Sequence, residues 1–229
     1  MSRTLCFRDT LKIIESSDIS DFEFVKKFKN QGKQGIVGIL RHKKNRNVYC
    51  IYKTSQTINY LPKHEYTIMN GLNSLRSFCP HFCGSYKLIE MNVNKDFKKQ
   101  ENMFEVDNNA KLSVDTLLME YIPYKNLYTC IKNTSIPTKI LFSTIKQILL
   151  AINIGQTCEK LTHYDLHSCN ILMSPCNKDD VFLYKTGNNY VTIPTYGCLP
   201  KIIDFGFSYS KQLDNNGIYS SLAHTEEEI

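Results

Sequence analysis

The sequence predicts an α+β chain in two lobes, rich in strands up to residue 122 and led by a helix after it. Three observations carry this. Short apolar runs set off by polar turns fill the first half, as strands do. One long run of helical period then follows Pro137, through Ile140, Leu141, Ile145, Ile148, Leu149 and Ile152. After it come two short strand-like runs, Asn170 to Met173 and Leu199 to Ile203, parted by an insertion rich in Asn, Tyr and Gly.

Residues 1–21 read as a lead-in, with weak periodicity at Leu11, Ile13 and Ile14. From Phe22 the pattern sharpens. Ile36 to Leu40 and Val48 to Tyr52 flank the polar turn Arg41 to Asn47, a hairpin entered through glycines. Leu61 to Leu75 carries Ile68, Met69, Leu72 and Leu75 at helical spacing, with Pro62 in the first turn, where a missing N–H costs nothing. Ser85 to Val93 and Leu112 to Tyr121 are apolar enough for strands, and the charged Asn94 to Lys111 between them reads as a surface loop. The Pro137 helix, the strongest such signal in the chain, is expected to be a buried organising helix. The expected division is a lead-in at 1–21, a strand-rich lobe at 22–122 and a second lobe at 123–229.

Composition excludes several classes. With 42% hydrophobic and 22% charged residues in 229, the chain is neither disordered nor fibrous. No apolar run approaches the roughly 18 to 20 residues that span a bilayer, and the first residues do not lead into a signal-peptide core. An intracellular, cytoplasmic protein without a membrane partner is expected. Nine cysteines, odd in number and without C-x-x-C pairs, suit free thiols better than disulfides. The net charge of +6 is spread along the chain, too diffuse to indicate a specific nucleic-acid partner. Cys79-Pro80-His81-Phe82-Cys83 could form half of a zinc site, but no second ligand pair accompanies it.

Two constellations carry chemistry. His163-Tyr164-Asp165-Leu166-His167-Ser168-Cys169-Asn170-Ile171-Leu172 follows the long helix, and Lys201-Ile202-Ile203-Asp204-Phe205-Gly206 delivers an acid from an apolar run onto a glycine. Together, in this order, they resemble the catalytic loop and the D-F-G element of the protein-kinase superfamily. Upstream, Asn30-Gln31-Gly32-Lys33-Gln34-Gly35-Ile36-Val37 is similar to the glycine-rich loop over the phosphates, with Asn30 in place of its first glycine. Lys53 occupies the place of the phosphate-pairing lysine, and Glu65 that of its partner, at shorter spacing than usual. Leu117 to Pro123 resembles the strand and hinge that hold adenine, with Met119 at the gatekeeper place and Glu120 and Tyr121 offering backbone contacts. The resemblance spans roughly Phe24 to Gly206, and in its Tyr164-Asp165-Leu166-His167 run the chain looks like kinase-like proteins of large DNA viruses.

The resemblance implies a bilobal kinase fold and an ATP-dependent phosphotransferase, foremost a Ser/Thr protein kinase acting on a protein hydroxyl. ATP and Mg²⁺ are the implied ligands. Gly32, Gly35, Val37, Lys53, Glu65, Met119, Glu120 and Tyr121 would bind the nucleotide, Asp204 and Asn170 the metal, and Asp165 would take the acceptor's proton, with Lys53 and Asn170 completing the catalytic set. His163 would be structural. Three features depart from the family. Tyr164 and His167 replace the usual Arg before and Lys after the catalytic Asp, and H-x-D-L-H is also the pattern of aminoglycoside and choline kinases. Ser174 to Pro200 lengthens the span before Asp204, and only 23 residues follow Gly206, so a truncated helical C-lobe is expected. A small-molecule kinase and a nucleotide-binding pseudokinase or interaction module are the alternatives.

Overall fold

A computed structural model describes residues 6–28, 35–55, 61–107, 112–133 and 136–211. The chain is mixed α/β and divides into two compact units, one of residues up to 66 with 84–121, the other of 67–83 with 122 onward. Among the described residues no helix is long and apolar enough to cross a membrane.

The first unit is a five-stranded antiparallel sheet in the order β1-β2-β3-β5-β4, formed by β1 (Phe22–Lys27), β2 (Gly35–His42), β3 (Tyr49–Ser55), β4 (Ser85–Val93) and β5 (Leu112–Glu120). Alternation along β3 sends Cys50, Tyr52 and Thr54 into a fully buried face while Ile51 and Lys53 point the other way. The β2–β3 turn closes on His42, whose Nδ1 accepts from the backbone N–H groups of Lys44 and Asn45 at 3.1 and 3.0 Å. Gly38 is required where the strands and Tyr52 meet, since a Cβ there would strike the Lys26 carbonyl and lie 2.5 Å from the Tyr52 ring.

Two expectations for this unit change. The N-terminal stretch contains a helix, α1 (Phe7–Glu15), which buries Ile14 and stacks Phe7 on Tyr86 of β4 with ring centroids 5.1 Å apart. The segment after β4 is more than a surface loop: Phe97 and Met103 are buried in the core of the unit, and the Asn94 side chain donates to the Glu105 carbonyl and accepts from the Asp107 N–H. Its charges face solvent while two apolar side chains anchor it.

Helix α2 (Leu61–Asn73) starts at Leu61-Pro62, as the sequence predicts. The second unit contains α3 (Leu127–Asn133), α4 (Thr138–Glu159) and two antiparallel ribbons, β6 (Ile171–Pro175) with β9 (Cys198–Ile202) and β7 (Val181–Thr186) with β8 (Asn189–Pro194). Lys160 ends α4 in the left-handed conformation, and Leu161 crosses so close to Gly155 that a Cβ there would lie 2.9 Å from its side chain.

Here too the structure corrects the sequence reading. Helix α4 buries Ile148 of the predicted period together with the small and polar Ser143, Thr144, Gln147, Ala151 and Gly155, and leaves Phe142, Ile145 and Leu149 exposed. Ser143 Oγ donates to the Pro194 carbonyl and Gln147 Nε2 to the Cys198 carbonyl, so hydrogen bonds seat the helix on the ribbons. The insertion between β6 and β9 is the β7–β8 hairpin, turned by Gly187 at φ 59° and Asn188, with Thr186 paired to Asn189.

Candidate functional site

In the first unit three of the sequence-predicted residues, Val37, Lys53 and Met119, lie on one sheet face. Lys53 pairs across the ladder with Val37 on β2 and Leu117 on β5, and Ile51 with Met119, so these side chains share a face. Lys53 Nζ and Glu65 Oε2 are 2.7 Å apart, with the side chains 12% and 1% exposed. The short sequence spacing suffices because β3 ends at Ser55 and α2 begins at Leu61, leaving Glu65 in the second turn. An ion pair this dry repays its desolvation only with good geometry, which makes it a poor source of stability and a strong constraint on position.

Gly35, opposite Ser55, lies where a Cβ would stand 2.9 Å from the Thr54 carbonyl. Gly32 and the rest of 29–34 lie outside the described residues. At the end of β5 the Glu120 N–H donates to the Gly84 carbonyl at 2.8 Å and its carboxylate accepts from the Gly84 N–H at 3.1 Å. The backbone donor of Glu120 is thus committed within the unit, which narrows the backbone contacts expected of it. Tyr121 follows, its ring 5.9 Å from that of Tyr49.

In the second unit the 163–170 loop is tied down from several sides. Thr162 and Tyr209 exchange backbone hydrogen bonds at 3.0 and 2.8 Å, and Ser208 Oγ donates to the His163 carbonyl. His163 Nε2 lies 3.2 Å from the Ile203 carbonyl, which can only accept, so in the neutral ring Nε2 carries the proton and the buried Nδ1 has no partner. Burial lowers the pKa of His163, against smaller opposing contributions from the Ile203 carbonyl and the nearby Asp204 and Asp165 charges. Its ring packs on Phe205 with centroids 5.0 Å apart. His163 is a strut beneath the loop.

Tyr164 takes φ 58°, and the next amide, Asp165 N–H, donates back to the His163 carbonyl at 2.8 Å. Asp204 takes φ 66°. A left-handed non-glycine residue costs of order 1 kcal/mol or more, and such residues persist where the surroundings over-determine them. Asn170 links the two: its Nδ2 donates to the Asp165 carbonyl at 3.0 Å and lies 3.4 Å from Asp165 Oδ2, while its own carbonyl accepts from Ile203 N–H, one residue before Asp204. The β6–β9 pairing of Ile171 with Ile202 sets that neighbourhood. The structure therefore bonds Asn170 to Asp165 and to the backbone of Ile203, which places Asp204 one residue from that network.

Sequence reasoning missed three supports of this network, Thr162, Ser208 and Tyr209, and named Ile203 only as part of an apolar run. Their signal is only their place beside the two motifs, since backbone atoms do most of the bonding.

His81 has another role than a metal ligand. Its Nδ1 lies 2.9 Å from the Pro200 carbonyl and its Nε2 2.6 Å from Tyr184 Oη, so both ring nitrogens are engaged, and burial lowers its pKa to about 4. Burial also pushes the Cys79 thiol up to about 11. Among the described residues no three His, Cys, Asp or Glu side chains converge as a metal site.

No model of a known protein family matches the chain. It is 29% identical over 246 aligned residues to "Uncharacterized protein 038R" of Invertebrate iridescent virus 3, covering 90% of this chain and 44% of that protein. It is 26% identical over 280 residues to "Uncharacterized protein 098R" of Invertebrate iridescent virus 6, covering 94% and 46%. A third relative, "Probable kinase 098L" of Invertebrate iridescent virus 3, is 24% identical over 209 residues, covering 87% and 36%. The chain spans less than half the length of each of these three viral relatives, of which one is named a probable kinase.

Proposed function

We propose that the chain is an ATP-dependent phosphotransferase, a Ser/Thr protein kinase built on a bilobal kinase-like fold and working in the infected cell's cytoplasm or the virion. The observation that carries the reading is the 2.7 Å Lys53–Glu65 pair, dry on both sides and placed on the sheet face shared with Val37 and Met119. Such a pair adds little stability, so its natural use is to hold a lysine ammonium at a fixed point for an anionic ligand.

In this reading Lys53 meets the α- and β-phosphates, Gly32 and Gly35 give phosphate oxygens close access to the backbone, and Val37 and Met119 flank the base, which meets backbone at Glu120 and Tyr121. The donors in the second unit fit Mg²⁺: Asp204 offers a carboxylate, and Asn170, whose Nδ2 is committed to the Asp165 carbonyl, turns its amide oxygen elsewhere. When bound, Mg²⁺–ATP supplies the transferable phosphoryl group and the charge that neutralises it. Asp165 aligns the acceptor hydroxyl and takes its proton.

His167 beside Asp165 supports a second reading, a small-molecule acceptor of the aminoglycoside type. Pure protein incubated with Mg²⁺ and γ-labelled ATP, with generic protein and with aminoglycoside acceptors, tests both. Label on protein supports the first and label on the small molecule the second. Nucleotide binding without any transfer would leave a pseudokinase and overturn the phosphotransferase reading.

A further inference from the structure

Activating a hydroxyl requires that one oxygen of the Asp165 carboxylate be aimed, and the hydrogen bonds around His167 indicate what aims it. The His167 backbone is extended, and its Nδ1 accepts from the Cys169 N–H at 3.2 Å, capping the turn Ser168–Asn170. A ring nitrogen that accepts carries no proton, so the neutral imidazole holds its proton on Nε2. That Nε2 lies 3.7 Å from Asp165 Oδ1 and 3.3 Å from Asn170 Nδ2.

Asn170 Nδ2 is a donor itself, bonded to the Asp165 carbonyl and directed toward Oδ2 at 3.4 Å. Two nitrogens that both carry hydrogens repel at 3.3 Å unless each has an acceptor of its own. The Asp165 carboxylate faces both nitrogens, with Oδ1 3.7 Å from His167 Nε2 and Oδ2 3.4 Å from Asn170 Nδ2.

We propose that His167 is a positioning residue, an Nε2–H donor that holds Oδ1 of the Asp165 carboxylate beside the Asn170 amide, which faces Oδ2. What Asp165 then does rests on the phosphotransferase reading; that His167 donates to it does not. The 3.7 Å separation exceeds a hydrogen bond, and catalytic contacts in an unliganded protein often stand long and tighten in the reacting complex.

Two near-isosteres separate the ring's two nitrogens. His167→Asn keeps an acceptor near the place of Nδ1, and with it the cap on Cys169 N–H, but loses the far donor. His167→Gln puts an amide N–H near the place of Nε2 and loses the cap. Misaiming a catalytic group by about 1 Å costs roughly 100-fold, so His167→Asn should lower kcat by about that factor with KM for ATP nearly unchanged, and His167→Gln should recover at least about tenfold of the loss. Wild-type turnover in His167→Asn, or equal loss in both variants, would overturn the proposal.

A second readout is independent of turnover. Long-range ¹H–¹⁵N spectra at pH 8 should find His167 Nδ1 unprotonated and Nε2 protonated, with the Nε2 resonance moved by Asp165→Ala. The opposite tautomer, or a resonance that Asp165→Ala leaves in place, would overturn the proposal. If the wild-type protein transferred no phosphate, the phosphotransferase reading would fall and these spectra alone would decide the donor assignment.

Discussion

Replacing Lys53 by Met separates the structural and chemical roles of the buried pair. Met has similar length and no charge, so it leaves the Glu65 carboxylate, 1% exposed, without its counter-ion. Breaking a buried pair on one side costs about 3–5 kcal/mol. The cost is capped because a carboxylate can take a proton instead, which at pH 7 costs about 3.7 kcal/mol from a reference pKa of about 4.3. A loss of about 3 to 3.7 kcal/mol in a chain this size is a fall of roughly 6–15 °C in Tm. Folding of the variant then takes up a proton, so the folded state binds more protons than the unfolded one and stability falls as pH rises from about 4.3 toward 7. Lys53→Met should approach wild-type stability near pH 4.5 and be weakest at neutral pH. Adding Glu65→Gln removes the stranded charge, so Lys53→Met/Glu65→Gln should regain most of the Tm while phosphate transfer stays lost. Scanning fluorimetry across pH, run beside a transfer assay, reads both effects. Wild-type Tm in Lys53→Met at pH 7, or wild-type transfer in the double variant, would refute the reasoning.

Three further outcomes follow from the same structure. On the phosphotransferase reading, ATP should bind with useful affinity only when Mg²⁺ or Mn²⁺ is present, because Asp204 would otherwise put a bare carboxylate against the phosphates; equal affinity in EDTA by calorimetry would remove it from the metal role. His81, whose pKa lies near 4 when folded, should cost the protein stability as pH falls from about 6.5, reaching about 3 kcal/mol once the pH nears 4. Denaturant melts at pH 7 and pH 4.5 check this, since His81→Gln should flatten that acid limb and an unchanged slope would count against it. Gly38→Ala should destabilise the first unit by about 1–3 kcal/mol through its clash with Tyr52 and the Lys26 carbonyl, read as a lower urea midpoint, whereas an unchanged midpoint would contradict the close packing.

Much of the chain was legible where side-chain pattern and backbone demand coincide. The alternation around Tyr52 and Lys53, the polar turn at 41–47, Pro62 opening a helix and the run Ser85 to Val93 each predict the element found. Periodicity could not reveal what a helix faces. The stripe of Ile145 and Leu149 on α4 is helical as expected, but Ser143 and Gln147 make the contacts, through hydrogen bonds to carbonyls that no pattern encodes. The β7–β8 hairpin was hidden by its composition, although Gly187-Asn188 between Tyr184 and Val191 is a two-residue turn signal. At the candidate site the motifs named Asp165, Asn170 and Asp204, whereas the bonds that hold Asn170 run to the backbone carbonyl of Asp165 and the backbone N–H of Ile203. Likewise the His163 tautomer is set by the Ile203 carbonyl, which only the fold supplies.

The most direct test of the phosphotransferase claim is transfer of label from γ-labelled ATP to a protein or small-molecule hydroxyl in the presence of Mg²⁺, measured for the wild type and for Asp165→Asn with nucleotide affinity determined in parallel. Asp165→Asn keeps the size and most of the hydrogen bonding and removes only the base. The account predicts transfer by the wild type, a fall of about 100- to 10,000-fold in Asp165→Asn, and nearly equal ATP affinity in the two proteins. Equal transfer by wild type and variant, or ATP binding by the wild type with no transfer to any acceptor, would contradict it.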